Sequence, residues 1–325
     1  MKAGHRPNEL ATEILMMNDF AIPGQPILLA TDGHKDADAA VRVAARLSES
    51  TRRPVTVVAV LEPPPLVTGE YGFVVPVADV WKDRRDVLLD RVQKQIAAVA
   101  GPTRDWPIEV LTGRPPNIIA RTAETLDAAL IVIGLGDHGI LDRALGSESA
   151  LHTLRTARRP VLAVPPTCSV LPNRAVVGVD FSAASVAATQ SALSLLPSLT
   201  DLELVHVAPR WDLQPAAYAE WRTEYERRLA PPLGRVIRDI DAPPGVVLTS
   251  AIREGNPTRQ LLAAAVEYDA DLIIVGSRGL GFLERLIVGS TATGIVRGAQ
   301  LAVFAYPFVA LGQQSQKAQA QSAGP

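Results

Sequence analysis

The sequence predicts an α/β protein with two tandem doubly wound domains, each a five-stranded parallel sheet with helices on both faces. Short runs rich in Val, Ile and Leu alternate with segments of helical period. The runs are apolar throughout, as strands covered on both faces require. The same order of elements occurs twice along 325 residues, a length that suits two domains.

The first half contains five predicted strands with four predicted helices between them. The strands are residues 26–31, 55–60, 108–111, 130–133 and 161–164. The helices are residues 36–49, 79–100, 117–126 and 147–157. This alternation is typical of Rossmann-like sheets, in which each helix crosses from one parallel strand to the next.

The second half repeats this order. Its predicted strands are residues 175–179, 202–207, 246–251, 272–275 and 301–305. Its predicted helices are residues 183–195, 215–240, 258–268 and 290–297. We expect the second of these helices to kink or break at Pro231 and Pro232, because proline removes a backbone hydrogen bond.

Two glycine turns, one in each half of the chain, support the repeat. Gly113 lies 21 residues before Gly134, and Gly255 lies 21 residues before Gly276. We therefore predict homologous domains at residues 25–166 and 174–308, joined by a linker at residues 167–173. Residues 1–24 would be an N-terminal extension. Residues 309–325, rich in Gln, Ala and Ser, would be a disordered tail.

Composition excludes several classes of protein. The 34 acidic and 32 basic residues nearly balance, and the basic ones do not gather into the patches of a nucleic-acid binder. No apolar run approaches the roughly 20 residues of a membrane span, and the N-terminus lacks a secretory signal. One cysteine and five scattered histidines offer no metal-ligand spacing. We expect a cytoplasmic protein without a metal site, and with neither nucleic acid nor membrane as a partner.

A glycine loop follows the fourth strand of the second half. Gly276 and Gly279 are followed, after nine residues, by Gly289, Ser290 and Thr291 at the start of a helix. Glycines permit a turn pressed against a ligand, and successive N–H groups in such a turn bind anions. The positive end of the helix favours phosphate. The spacing therefore predicts a phosphate-binding loop.

Asp180 ends the first strand of the second half. This position lies at the switch point of an open α/β sheet, where ligands bind. A carboxylate there suits ribose hydroxyls or a base amino group. The alternative is a purely structural role for Asp180, beside Ser182 at the start of the following helix.

The first half departs from this loop. Asp32 matches Asp180, but Asp137 stands where the second glycine after Gly134 belongs. Gly139 and Gly146 are separated by six residues rather than nine. A carboxylate in a phosphate loop is unfavourable, so we predict a degenerate loop with weak or no ATP binding.

On these residues the second half resembles the universal stress protein family, in its ATP-binding form. The resemblance is carried by Val179-Asp180, the Gly255-x-Pro257 turn and the glycine loop, and it spans about residues 174–307. It implies ATP as the ligand, with or without Mg²⁺, and a stress-linked role in which ATP alters conformation or partner binding.

The resemblance also implies a role for each site residue. Asp180 would contact adenine and ribose, and Val207 would meet adenine through its backbone. The ribose–phosphate path would be lined by Val275, Gly276 and Gly279. The phosphates would be held by Gly289, Ser290 and Thr291.

Other functions stay open beside regulatory ATP binding. No catalytic residue is assigned, but slow ATP hydrolysis is an alternative because phosphoryl transfer depends largely on positioning. A second alternative is an interaction or scaffold module that binds no nucleotide, since Gln300-Leu301 replaces the Pro-Val-rich start of the family's fifth strand. The apolar fifth strands would lie at sheet edges, so we expect them to pair within the chain, and a homodimer is left open. The sequence does not indicate a protein partner.

Overall fold

A computed structural model of the chain describes residues 24–63, 78–136, 143–210, 215–276 and 290–307. The strands of the first half are β1 (Ile27–Ala30), β2 (Val55–Leu61), β3 (Ile108–Thr112), β4 (Leu130–Gly134) and β5 (Val161–Val164). Its α-helices are α1 (Asp38–Thr51), α2 (Ala78–Val99), α3 (Pro115–Thr125) and α4 (Arg143–Thr156). A 3-10 turn at Lys35–Ala37 precedes α1.

The second half repeats this order within the described residues. Its strands are β6 (Arg174–Gly178), β7 (Asp201–Ala208), β8 (Val247–Glu254), β9 (Leu272–Gly276) and β10 (Ala302–Tyr306). Its helices are α5 (Ala183–Leu195), α6 (Pro215–Asp239), α7 (Pro257–Glu267) and α8 (Ser290–Gly298). The predicted extension and tail, residues 1–24 and 309–325, fall outside the described residues except for Gly24.

All ten of these strands form one sheet, in the order β3-β2-β1-β4-β5-β10-β9-β6-β7-β8. Within each half the neighbouring strands are parallel, as predicted for a doubly wound domain. The two halves meet where β10 runs antiparallel to β5, with Val303 opposite Ala163 and Ala305 opposite Val161. The predicted pairing of the fifth strands within one chain is therefore confirmed.

Helices cover both faces of the sheet. One apolar core packs α1, α2, α5 and α6 against one face, and a second packs α3, α4, α7 and α8 against the other. Each core runs through both halves, since Leu162 and Phe304 share the first and Ala163 and Val303 share the second. The side chains of β5 and β10 are buried throughout, which explains why these strands read as continuous apolar runs.

The expected break in α6 is wrong. The helix continues from Pro215 to Asp239 through Pro231 and Pro232. Beyond the prolines, Leu233 and Val236 are buried in the first core. Burial of this apolar face offsets the backbone hydrogen bonds that the two prolines lack.

Candidate functional site

Most described residues of the predicted site lie at one edge of the sheet. Strands β9, β6 and β7 are neighbours and parallel, so their carboxyl ends point the same way. This brings together Asp180 just after β6, Val207 near the end of β7, and Val275 and Gly276 at the end of β9. Gly279 and Gly289 lie outside the described residues, and their predicted contacts stay predictions.

Asp180 supports the turn between β6 and α5. Its Oδ1 atom accepts hydrogen bonds from the Ser182 backbone N–H, at 3.0 Å, and from the Ser182 hydroxyl. Ser182 is the N-cap of α5, and its Oγ atom accepts a hydrogen bond from the Ser185 backbone N–H at 3.3 Å. The carboxylate therefore has a structural role in addition to any contact with a ligand.

The floor of the candidate site, beside this turn, is formed by apolar side chains that are closely packed. Val205 and Val275 are buried there, and Val207 and Leu261 belong to the same core. A Cβ atom on Gly178 would come within 3.1 Å of a Leu261 methyl group, so glycine lets α7 approach β6 closely. Such a floor suits a flat apolar group such as a purine ring.

Helix α8 begins at the two predicted phosphate-binding hydroxyl residues. Ser290 is exposed and Thr291 is half-buried. Further along α8, a Cβ atom on Gly294 would lie only 2.7 Å from Thr258 Oγ1 on α7. Gly294 therefore allows α8 and α7 to approach each other closely. Gly294 belongs to none of the sequence motifs that predict the site.

An aromatic group lies next to Asp180, on the side of the sheet covered by α6. The rings of Phe181 and His206 are 4.5 Å apart between centroids. His206 Nδ1 donates a hydrogen bond to the Val179 carbonyl oxygen at 2.9 Å, and its Nε2 atom lies 3.3 Å from the Tyr225 hydroxyl. This arrangement holds the ring of Phe181 in place immediately after Asp180.

The group continues along α6. Trp221 stacks on Tyr225 with centroids 5.0 Å apart, and Tyr218 donates a hydrogen bond to Glu254. That hydrogen bond raises the pKa of Tyr218, while burial, followed by the charge of Glu254, raises the pKa of Tyr225. The helical spacing of these aromatic residues is visible in the sequence, but the contact of Tyr225 with His206 depends on how α6 packs over the sheet.

Within the described part of the chain, the His, Cys, Asp and Glu side chains form no group of three or more that could hold a metal ion. None of the described helices has the length and apolar character that crossing a membrane requires.

Comparison with known proteins identifies the family. The sequence model described as "Universal stress protein family" matches residues 24–165 and again residues 172–307. The chain belongs to the universal stress protein family. The two matches correspond to the two halves of the ten-stranded sheet, so this is a tandem form of the family.

Relatives of similar length support the assignment. Universal stress protein Rv2623 of Mycobacterium tuberculosis is 29% identical over 286 residues, covering 85% of this chain and 94% of the relative. A universal stress protein of Mycolicibacterium smegmatis is 27% identical over 285 residues, covering 84% and 94%. The crystal structure of a universal stress protein from Archaeoglobus fulgidus covers 89% of this chain and 98% of its own, with a TM-score of 0.61 and 20% identity. At that identity the structural likeness concerns the fold.

Proposed function

We propose that the second domain binds ATP, with or without Mg²⁺, and that nucleotide occupancy acts as a regulatory signal in a stress response. The observation that carries the proposal is the meeting of Asp180, Val207, Val275 and Gly276 at one sheet edge, next to a loop with phosphate-binding glycine spacing. Open α/β sheets bind ligands at this position.

The described residues suit the parts of a nucleotide. The apolar floor of Val207, Val275 and Leu261 would receive the adenine ring. The Asp180 carboxylate would accept hydrogen bonds from ribose hydroxyls or from the base. The backbone N–H groups and hydroxyls at the start of α8, Ser290 and Thr291, would bind phosphate oxygens, together with the glycines of the loop.

One argument for the alternative function, an interaction module that binds no nucleotide, is weakened by the structure of β10. Strand β10 forms in full beside both β5 and β9, although Gln300-Leu301 replaces the family's usual start. The Gln300 carbonyl oxygen accepts a hydrogen bond from the Thr167 hydroxyl at 3.1 Å, which ties this start to the linker. We therefore keep regulatory ATP binding as the proposed function.

The first experiment measures the nucleotide that copurifies with the full chain. Freshly purified protein is denatured, and the released small molecules are separated by ion exchange. We expect one adenine nucleotide per chain. Asp180→Asn keeps an oxygen for the turn but removes the charge, and it should weaken binding about 10- to 100-fold. Gly289→Asp places a carboxylate beside the phosphates and should abolish binding.

Matched substitutions in the first domain are the controls. Asp32→Asn and Gly146→Asp should leave the nucleotide content unchanged. If the protein carries no nucleotide and Mg-ATP does not raise its melting temperature, the proposal fails and an interaction module becomes the better assignment. If nucleotide is bound, the ratio of ADP to ATP released after incubation measures slow hydrolysis.

A further inference from the structure

The two outer strands of the sheet, β3 and β8, differ in how their free edges are protected. β3 has five residues, follows Pro107 directly and carries Glu109. β8 has eight residues, with no proline and no lysine among them. Its register with β7 is continuous from Val247 to Glu254, so no bulge interrupts it. Short length, proline, charge and bulges are the usual protection of an edge, and β8 lacks most of it.

The two charged residues of β8 are held by side chains of the same chain. Arg253 donates hydrogen bonds to both carboxylate oxygens of Glu267 on α7, at 3.1 Å and 2.5 Å. Glu254 accepts a hydrogen bond from the Tyr218 hydroxyl on α6. The other six residues of β8 are uncharged. A strand that approaches this edge therefore meets no charge over most of its length.

The backbone of β8 offers hydrogen-bonding groups at this edge. The Val247 N–H donates to the Thr200 carbonyl oxygen at 2.8 Å. The Gly255 N–H donates to the Ala208 carbonyl oxygen at 2.9 Å. Because the backbone groups of successive strand residues point to opposite sides, the odd-numbered residues of β8 face β7. The N–H and C=O groups that point outward belong to the even-numbered residues, Leu248, Ser250, Ile252 and Glu254.

The side chains of these even-numbered residues lie on the face of the sheet that α6 covers. Leu248 and Ile252 pack there against the first apolar core. A cavity of about 380 Å³ is lined by Ser250 and Ile252 of β8 and by residues of α6 that include Ala230 and Leu233. This face can therefore receive an apolar side chain from one further strand placed beside β8.

We propose that β8 pairs with β8 of a second copy of this chain, antiparallel and about a two-fold axis at Ser250, so that the two sheets become continuous. Residues directly opposite each other in an antiparallel pair share a face, so even-numbered residues must lie opposite even-numbered ones. With Ser250 opposite itself, Leu248 of each copy lies opposite Ile252 of the other, beside the cavity. Arg253 lies opposite Val247, so no like charges meet.

This register is the one that the side chains favour. A register shifted by one residue to either side places Ser250 opposite Leu248 or Ile252 and breaks up the apolar pairing. A single pair of eight-residue strands buries less than the roughly 1,600 Å² of a standard stable interface. We therefore expect a Kd on the order of 10–100 μM. The association is independent of nucleotide binding, because it uses the outer edge of the sheet.

Substitutions of opposite charge at the two-fold axis test the proposal. Ser250→Lys and Ser250→Asp each place two like charges opposite each other, whereas a mixture of the two variants places opposite charges there. Sedimentation velocity measures association of the full chain from about 1 to 500 μM. We expect the natural chain to change from monomer to dimer across this range. Each variant alone should have a Kd at least about tenfold higher, and the equimolar mixture should regain the natural Kd within about threefold.

Matched variants control for charge and for folding. Thr103 is an exposed residue of the first half, outside β8. Thr103→Lys and Thr103→Asp change the net charge equally and should leave the Kd unchanged, alone or mixed. Ser250→Pro removes an outward N–H group and none of those that pair with β7, so the fold should persist and the dimer should be lost. Thermal melting of each variant checks that it is folded.

Three outcomes would overturn the proposal. The first is a natural chain that stays monomeric up to about 500 μM, which would mean that the edge is unpaired or is covered by residues of the same chain. The second is dimerisation of folded Ser250→Lys with the natural Kd, which would place the dimer interface on another surface. The third is a mixture of Ser250→Lys and Ser250→Asp that associates no more tightly than either alone, which would exclude a two-fold axis at Ser250.

Discussion

At the scale of single residues, the turn after the first strand of each domain is the same turn built from different side chains. Gly33 has a φ of 80°, and Phe181, at the equivalent position after Asp180, has a φ of 63°. Glycine adopts this left-handed conformation freely, whereas a residue with a side chain loses about 1–2 kcal/mol. The contact between the Phe181 ring and His206 offsets that strain.

From this comparison we predict that, at position 181, glycine destabilises the protein less than alanine does. Phe181→Ala loses the ring and keeps the strained backbone, while Phe181→Gly loses the ring and relieves it. We expect both variants to be less stable than the natural protein by about 1–3 kcal/mol. We expect Phe181→Gly to be the more stable of the two by about 1 kcal/mol. Urea denaturation of the full chain measures the difference.

Gly33 provides the matched control. A Cβ atom there would lie 2.7 Å from Arg91 Cγ and would have to adopt a left-handed φ, so Gly33→Ala should destabilise the protein. A Phe181→Ala variant as stable as Phe181→Gly would show that the turn relaxes without its ring, and the strain argument would then be wrong.

At the scale of elements, α6 combines an unfavourable backbone with favourable side chains. Pro231 and Pro232 leave the carbonyl groups of Arg227 and Arg228 without their helical N–H donors. On the exposed face, hydrogen bonds from Arg227 and Arg228 lower the pKa of Glu224 to about 2. Beyond the prolines, Leu233 and Val236 are buried in the first core. The helix therefore persists through its tertiary contacts.

Replacing the two prolines should stabilise the protein. The double variant Pro231→Ala, Pro232→Ala restores two backbone hydrogen bonds and should add about 1–3 kcal/mol to the free energy of unfolding. The comparison is Pro257→Ala, because Pro257 occupies the first turn of α7, where proline removes no helical bond. We expect the melting temperature of the double variant to be higher than that of the natural protein, and that of Pro257→Ala not to be higher. A double variant that melts at or below the natural protein would contradict this account of α6.

At the scale of the whole molecule, the two domains share one sheet and two cores. Phe304 and Tyr306 of β10 are at most 1% exposed, and Leu162 of β5 is fully buried. Separating the halves would expose these side chains and leave two apolar edges unpaired. We therefore expect the pairing of β5 with β10 to hold the two domains together even when the linker is cut.

Cutting the linker tests this conclusion. A protease site is inserted between Thr167 and Val170, in the linker after β5, and the purified protein is cleaved there. We expect the two halves to elute together in gel filtration, with the secondary structure of the uncut protein. In a Phe304→Asp variant, which buries a charge in the joint, the cut halves should separate. Separation of the cut natural halves would show that the β5–β10 pairing is weak.

The amino-acid sequence by itself determined the two-domain repeat, the alternation of strands and helices, and the placement of Asp180, Val207 and Val275 at one sheet edge. These follow from periodicity, turn residues and strand order, which are properties of neighbouring residues and of a common topology. The pairing of the fifth strands could also be predicted, because an apolar edge needs a partner.

Only the tertiary structure decided the contacts between distant segments. The Phe181 ring lies against His206, and Gly294 allows the close approach of Thr258. Helix α6 continues through its two prolines. Glu62 and Asp32, which are distant in sequence, line the same cleft of the first domain. Each depends on how closely two elements pack and on the register in which they meet. Packing free energies of this kind arise only once the chain has folded, so no local pattern encodes them.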